Sequence, residues 1–204
     1  MKFSIVVIAF VLTASSVSSD DSQKYFDFFV KAAPSYVTFW AKGLPGWNAK
    51  SSLKSNVLSF VNGPNGPGWN SDLSKDQNVE NIIKAFNVVD DKKTLAENIR
   101  NFINYFVDEM GFSSLFPKGE MEQTVFNKLV SDLKINESEL NKPVIAAIQQ
   151  WINSFGDLKD LTGNDFITGV LGKAINVLGA PTVSPSNTLD DIITGFINAW
   201  ARRS

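Results

Sequence analysis

An all-α fold is what this sequence predicts, on three observations. Beyond residue 20, apolar residues recur at spacings of three and four in segment after segment. No stretch alternates apolar and polar residues over the length of a strand. Helix-stopping and helix-starting residues bracket the periodic segments.

The segments are taken in chain order. A first amphipathic stretch, 21–33, ends at Pro34. In the next, Tyr36, Phe39 and Trp40 fall at i, i+3 and i+4. Further segments are expected at 52–62, 73–88, 92–110, 120–134, 142–155, 165–178 and 189–203. Gly63, Gly111 and Gly179 follow helical runs, where left-handed caps are expected. Asn141 before Lys142-Pro143 suits a cap followed by a first-turn proline. Thr188 with Asp191 resembles a capping box. The whole is expected to be one globule, residues 20–204, of about seven to nine helices.

One helical phrase recurs. It reads apolar, three residues, apolar, two residues, aromatic, Ile or Val, Asn. Leu53, Val57, Phe60, Val61 and Asn62 fit it, as do Leu95, Ile99, Phe102, Ile103 and Asn104. Val144 to Asn153 and Leu189 to Asn198 repeat it, and Ile167 to Asn176 is a weaker copy with Ala174 in the aromatic slot. Four of its positions are the buried stripe of any amphipathic helix. The closing Asn is not required by amphipathicity. Uneven spacing between copies argues against a regular solenoid.

The tetrapeptide Pro-Gly-Trp-Asn also occurs twice, at 45–48 and 67–70. Aligning the copies places Ser52 on Ser74, Asn56 on Asn78 and Val57 on Val79. A turn leading into a helix explains the match: Pro sets the first central turn position, and Gly accepts the positive φ of the second. Trp47 and Trp69 then fold against the helix that follows. The alternative, a pair of exposed indoles as a stacking platform, forfeits the burial of roughly 150–250 Å² per ring.

The N-terminus has the order of a secretory leader. Lys2 precedes an apolar run from Phe3 to Leu12, small residues and then Asp20-Asp21. The run is shorter than the roughly 20 residues of a membrane span. Residues 1–19 are therefore expected to be a signal peptide, and the protein to be secreted and extracellular, without a transmembrane anchor. The chain has no cysteine, so an exported form relies on apolar packing in place of disulfides. Hydrophobic residues at 44%, with 16 Phe, supply that packing.

Composition excludes much chemistry. With no His and no Cys, Ser-His-Asp and Cys-His triads, thiolate catalysis and His- or Cys-ligated zinc are absent. The acidic pairs, such as Asp90-Asp91 and Asp190-Asp191, sit mostly at helix starts or loops, where acidic side chains suit the helix dipole. The segment 156–166, with Asp157, Asp160 and Asp165, lacks the ligand spacing of an EF-hand loop. No metal or cofactor is expected, and a non-enzyme is. A formal charge of -2, with Lys and Arg scattered, gives no nucleic-acid footprint.

The expected function is contact. A disulfide-free aromatic helical bundle suits a carrier of a hydrophobic small molecule or lipid, with Tyr25, Phe28, Phe29, Tyr36, Phe39 and Trp40 around the Pro34 break as candidate ligand contacts. The alternative is a secreted structural or protein-interaction protein without a ligand pocket. Asn136-Glu137-Ser138 is a glycosylation sequon, although Asn136 and Glu139 also fit a capping box. In the small-residue helix at 165–178, Gly169 and Gly172 suit close helix packing better than a membrane surface, since a strong basic face is lacking. N-terminal sequencing of the exported form should begin at Ser19 or Asp20; a chain that starts at Met1 in the medium refutes the leader.

Overall fold

The computed structural model describes residues 41, 43, 46–87, 89–109, 111, 117–132, 135–177 and 182–201. The expected segments at 21–33 and 36–40 lie outside them. The described residues are mostly helical and form no strands, which makes the protein all-α. We label the helices α1 (Leu53–Val61), α2 (Lys75–Phe86), α3 (Leu95–Glu109), α4 (Lys118–Asp132), α5 (Glu137–Leu140), α6 (Val144–Asn153), α7 (Gly163–Val177) and α8 (Leu189–Ala201). A single 3₁₀ turn, Gly156–Leu158, lies between α6 and α7.

The starts of α1, α2 and α3 share one design. Ser52, Ser74 and Thr94 are the residues before each first turn, and their hydroxyls accept the N–H of Ser55, Gln77 and Glu97. Gln77 and Glu97 answer through their side chains, which accept the N–H of Ser74 and Thr94 at 2.9 and 2.8 Å. Four residues after each cap stands a buried asparagine: Asn56, Asn78 and Asn98, at 6%, 1% and 1% exposure. Each reaches back eight residues. Its Oδ1 accepts the backbone N–H of Asn48, Asn70 or Asp90, in each case at 2.8 Å. Its Nδ2 donates to the carbonyl of that same residue, and to those five and four residues upstream of itself. At the loop's start the side chain of Asn48, Asn70 or Asp90 accepts the N–H two residues on, closing a small Asx turn. A polar side chain is buried inside the apolar stripe because it satisfies a loop's backbone groups that water does not reach.

A related loop precedes α8. Ser184 accepts the N–H of Ser186, and Thr188 forms the expected box with Asp191. Ile192 occupies the asparagine position and is buried. The N–H of Ser184, orphaned by that exchange, is taken by Asn187 Oδ1 at 2.9 Å.

Helix starts are also tied together in pairs. Ser52 bridges Thr188, and Thr94 bridges Pro143. The first two N–H groups of α1 donate to Asn187 and Pro185 of the α8 loop, both at 2.8 Å. Leu95 N–H donates to Lys142, and Val144 N–H donates to Lys93. Orphan donors of three helix N-termini, those of α1, α3 and α6, thus find partners across the pair.

The positive φ of Gly46 (77°) and Gly68 (65°) matches the turn expected of both Pro-Gly-Trp-Asn copies. Trp69 packs on Phe166, with ring centroids 5.5 Å apart, and Trp47 is half-buried. In the second copy the turn leads Trp69 onto the small core that joins Val79 of α2 to Phe166 of α7. Between the copies the loop folds back on α1: Gly68 N–H donates to Val61 at 2.9 Å. A Cβ on Gly66 would collide with the carbonyl oxygens of Phe60 and Val61.

Some boundaries differ from expectation. α3 starts three residues later than 92, because Asn98 holds residues 90–94 in the loop. Asn141 ends α5 and Pro143 occupies the cap of α6, so the proline precedes the first turn instead of sitting within it. Gly111 has the expected left-handed φ of 70°, but Gly63 does not, and Gly179 lies outside the described residues. Gly63 is required by space: a Cβ would stand 2.6 Å from the Ser59 carbonyl oxygen. The left-handed cap on α2 is Asn87, with φ 49°.

The main core draws on α3, α4, α6, α7 and α8, with Ile99, Ile103, Phe106, Met121, Val125 and Leu129 nearly inaccessible. Gly169 lets the 3₁₀ turn approach α7: a Cβ there would be 2.6 Å from Leu158 Cδ2. In three copies of the repeated phrase the closing asparagine is a stitch between helices. Asn62 donates to Asn164 of α7, Asn104 to Glu122 of α4, and Asn153 to Asp76 of α2.

The amide nitrogen of Asn98 faces three carbonyls, which predicts an order of variants. Asn98→Ala leaves buried groups unpaired, at a cost of about 2–3 kcal/mol. Asn98→Asp retains the acceptor but sets a carboxylate against carbonyl oxygens, and should cost more. Urea unfolding of both variants reads the order; an Asp variant as stable as the wild type refutes the role given to Nδ2.

Candidate functional site

The six aromatic residues singled out from sequence, Tyr25, Phe28, Phe29, Tyr36, Phe39 and Trp40, lie outside the described residues. Among the described residues, aromatic side chains gather instead on a second, smaller core. Val79, Ile152, Leu158 and Phe166 form its buried centre. Trp69, Trp151 and Phe155 lie over it, half-buried. Trp151 meets Phe155 edge-on, with centroids 4.7 Å apart.

Local chemistry puts these rings there. The turn at Gly68 and the Asn78 loop fix the approach of Trp69 to α2. Trp151 stands in the aromatic slot of the repeated phrase on α6. Phe155 follows α6, and its carbonyl accepts the Leu158 N–H at 2.9 Å as the chain turns. Phe166 enters from the first turn of α7.

Two ammonium groups border the rings. Lys75 Nζ lies 4.8 Å from the Phe166 centroid and donates to the carbonyls of Leu158 and Lys159 at 3.1 and 2.6 Å. It therefore ties the start of α2 to the end of the 3₁₀ turn. Lys173 Nζ lies 6.0 Å from the Phe155 centroid and 2.6 Å from Asp157 Oδ2. The hydrogen bond from Lys173 holds the Asp157 carboxyl below its ordinary range. What results is an aromatic face edged with cations, one of them tied to backbone and the other to an exposed carboxylate. It offers apolar contact and attraction for negative charge.

A second polar cluster lies on the α3–α4 seam. Arg100 pairs with Glu122, donates to Gln123 at 3.2 Å and lies over the Phe126 ring, 3.8 Å from its centroid. Each of these groups is consumed in holding the two helices together. Among the described residues no three acidic side chains converge on a point where an ion could sit. Among them, too, no helix is long and apolar enough to cross a membrane.

Sequence reasoning passed over the Trp69–Trp151–Phe155 face because Trp69 lies about 80 residues before the segment that carries Trp151 and Phe155. The signal that points to it is Trp151 in the aromatic slot, repeated in phase with Phe60 and Phe102.

A depressed carboxyl pKa in the folded state contributes stability above the unfolded pKa, and this is lost as pH falls through the folded value. Asp157 thus favours the folded state near neutral pH, and the contribution fades on acidification below its ordinary value of 3.8. NMR titration should place the Asp157 midpoint below that value, and Lys173→Met should move it upward. An unmoved midpoint refutes the pair. Comparison with family models, curated proteins and solved structures returned no match.

Proposed function

We propose that this is a secreted, non-enzymatic helical protein that binds a hydrophobic small molecule or lipid between its helices. The observation that carries the reading is the crowding of Tyr25, Phe28, Phe29, Tyr36, Phe39 and Trp40 just after the leader, in a chain with neither His nor Cys. Contact chemistry suits such a composition better than bond-making. The half-buried face of Trp69, Trp151 and Phe155 lends support, because Lys75 and Lys173 at its edge suit an amphiphile with an anionic head.

An interaction role without a ligand is the second reading. It is favoured by the stiffly held loops before α1 to α3, which present Lys50, Asp72 and Lys92 to solvent. Such pre-organised tips lower the ordering cost of protein contact.

Native mass spectrometry of protein from its natural source, and titration with a fluorescent fatty acid, separate the two. The carrier reading expects a bound lipid mass and saturable fluorescence displaced by unlabelled fatty acid. Phe39→Ala with Trp40→Ala should weaken that binding at least tenfold, about 1.4 kcal/mol. A clean apo mass with no displacement refutes the carrier and leaves the interaction role.

A further inference from the structure

We propose that Asn136 is an N-glycan acceptor in the secretory pathway, an inference that rests on the export reading above. Asn136, Glu137 and Ser138 are all exposed. Sequon and capping box coincide here, and the structure removes the conflict between them. The cap draws on Asn136 only as an acceptor: its backbone carbonyl accepts the N–H of Glu139 and Leu140 at 2.9 and 3.2 Å, and its side-chain oxygen faces the same Glu139 N–H. The N–H of Asn136 is satisfied by Glu139 Oε2 at 3.2 Å. None of these contacts uses the side-chain nitrogen, the atom that a sugar would occupy.

The turn is also held from beneath. Ile135 and Leu140 flank it and pack against the main core, and Ile135 N–H donates to Val130 at 3.0 Å. The acceptor therefore stands outward on a short, anchored turn. No proline follows at Glu137 or Glu139 to bar the extended acceptor conformation.

The transfer balances with one co-reactant, an oligosaccharide linked to a lipid pyrophosphate. Asn136 Nδ2 attacks the anomeric carbon and forms the N–C bond. The bond from that carbon to pyrophosphate oxygen breaks, the pyrophosphate leaves with the electron pair, and Nδ2 gives up one proton to a base on the transferase. Ser138 supplies the hydroxyl that the sequon requires two residues on.

The test expresses the full chain in eukaryotic cells in two forms, one with its own first 19 residues and one with a well-characterised cleavable leader in their place. The leader-swapped protein in the medium should carry glycan that an amidase removes, converting Asn136 to Asp. Asn136→Gln and Ser138→Ala should abolish the mass shift, and Ser138→Thr should retain it. Circular dichroism of Ser138→Ala, which keeps the whole cap, controls for folding. Secretion of the leader-swapped chain at its unmodified mass overturns the proposal. Glycan on the leader-swapped chain with the native form retained in the cytosol upholds the acceptor site and overturns export alone.

Discussion

Three buried asparagines govern how this chain turns corners. A helix whose apolar stripe begins in its first turn brings the preceding loop under cover, and with it backbone donors and acceptors. Asn56, Asn78 and Asn98 resolve that conflict from within the stripe, each bonding both backbone groups of one loop residue and two carbonyls besides. An unpaired buried polar group costs about 1–3 kcal/mol, a large share of a domain's net stability. The loop before α8 confirms the constraint by meeting it differently: Ile192 adds to the core, and Asn187 replaces the missing acceptor. The requirement is the satisfied loop, and asparagine is one way to meet it.

From these corners the rest of the architecture follows. With entry angles fixed, α1 to α3 present their stripes in the same phase relative to their caps. The repeated phrase likewise begins at the first helical residue in α1, α3, α6 and α8. The same phase brings the closing asparagine to the edge of the stripe, where Asn62, Asn104 and Asn153 meet polar side chains on neighbouring helices. Lysine completes the framework at the smaller core, where Lys75 spans from α2 to the 3₁₀ turn. A chain without cysteine is thus braced by amide side chains at its corners and by apolar area in its interior.

Helix identity was legible in the sequence because periodicity and caps agree. The match of Ser52 with Ser74 and of Asn56 with Asn78 was visible as well. The third copy was hidden, since Asp90 stands where the others have Asn and no Pro-Gly-Trp precedes it. A polar residue in a buried stripe reads as an interruption until its reach of eight residues is seen. The displaced start of α3 and the cap at Pro143 have the same origin: tertiary partners for N–H groups overrode the local signals. The Trp69–Trp151–Phe155 face depends on how α2, α6 and α7 meet, which no local pattern encodes.

The pairing of helix starts has a bearing on how the protein is made. Ser52 meets Thr188, and Thr94 meets Pro143, so one pair encloses the other along the chain. Inner contacts close first as the polypeptide leaves the ribosome, and α1 waits until the loop before α8 has been synthesised. Closing so long a loop adds little to its entropic cost, which grows only logarithmically with length, but it slows the final step. α1 therefore spends the synthesis of the intervening helices without its partner, and its first N–H groups find their carbonyls only once residues 185–187 have emerged.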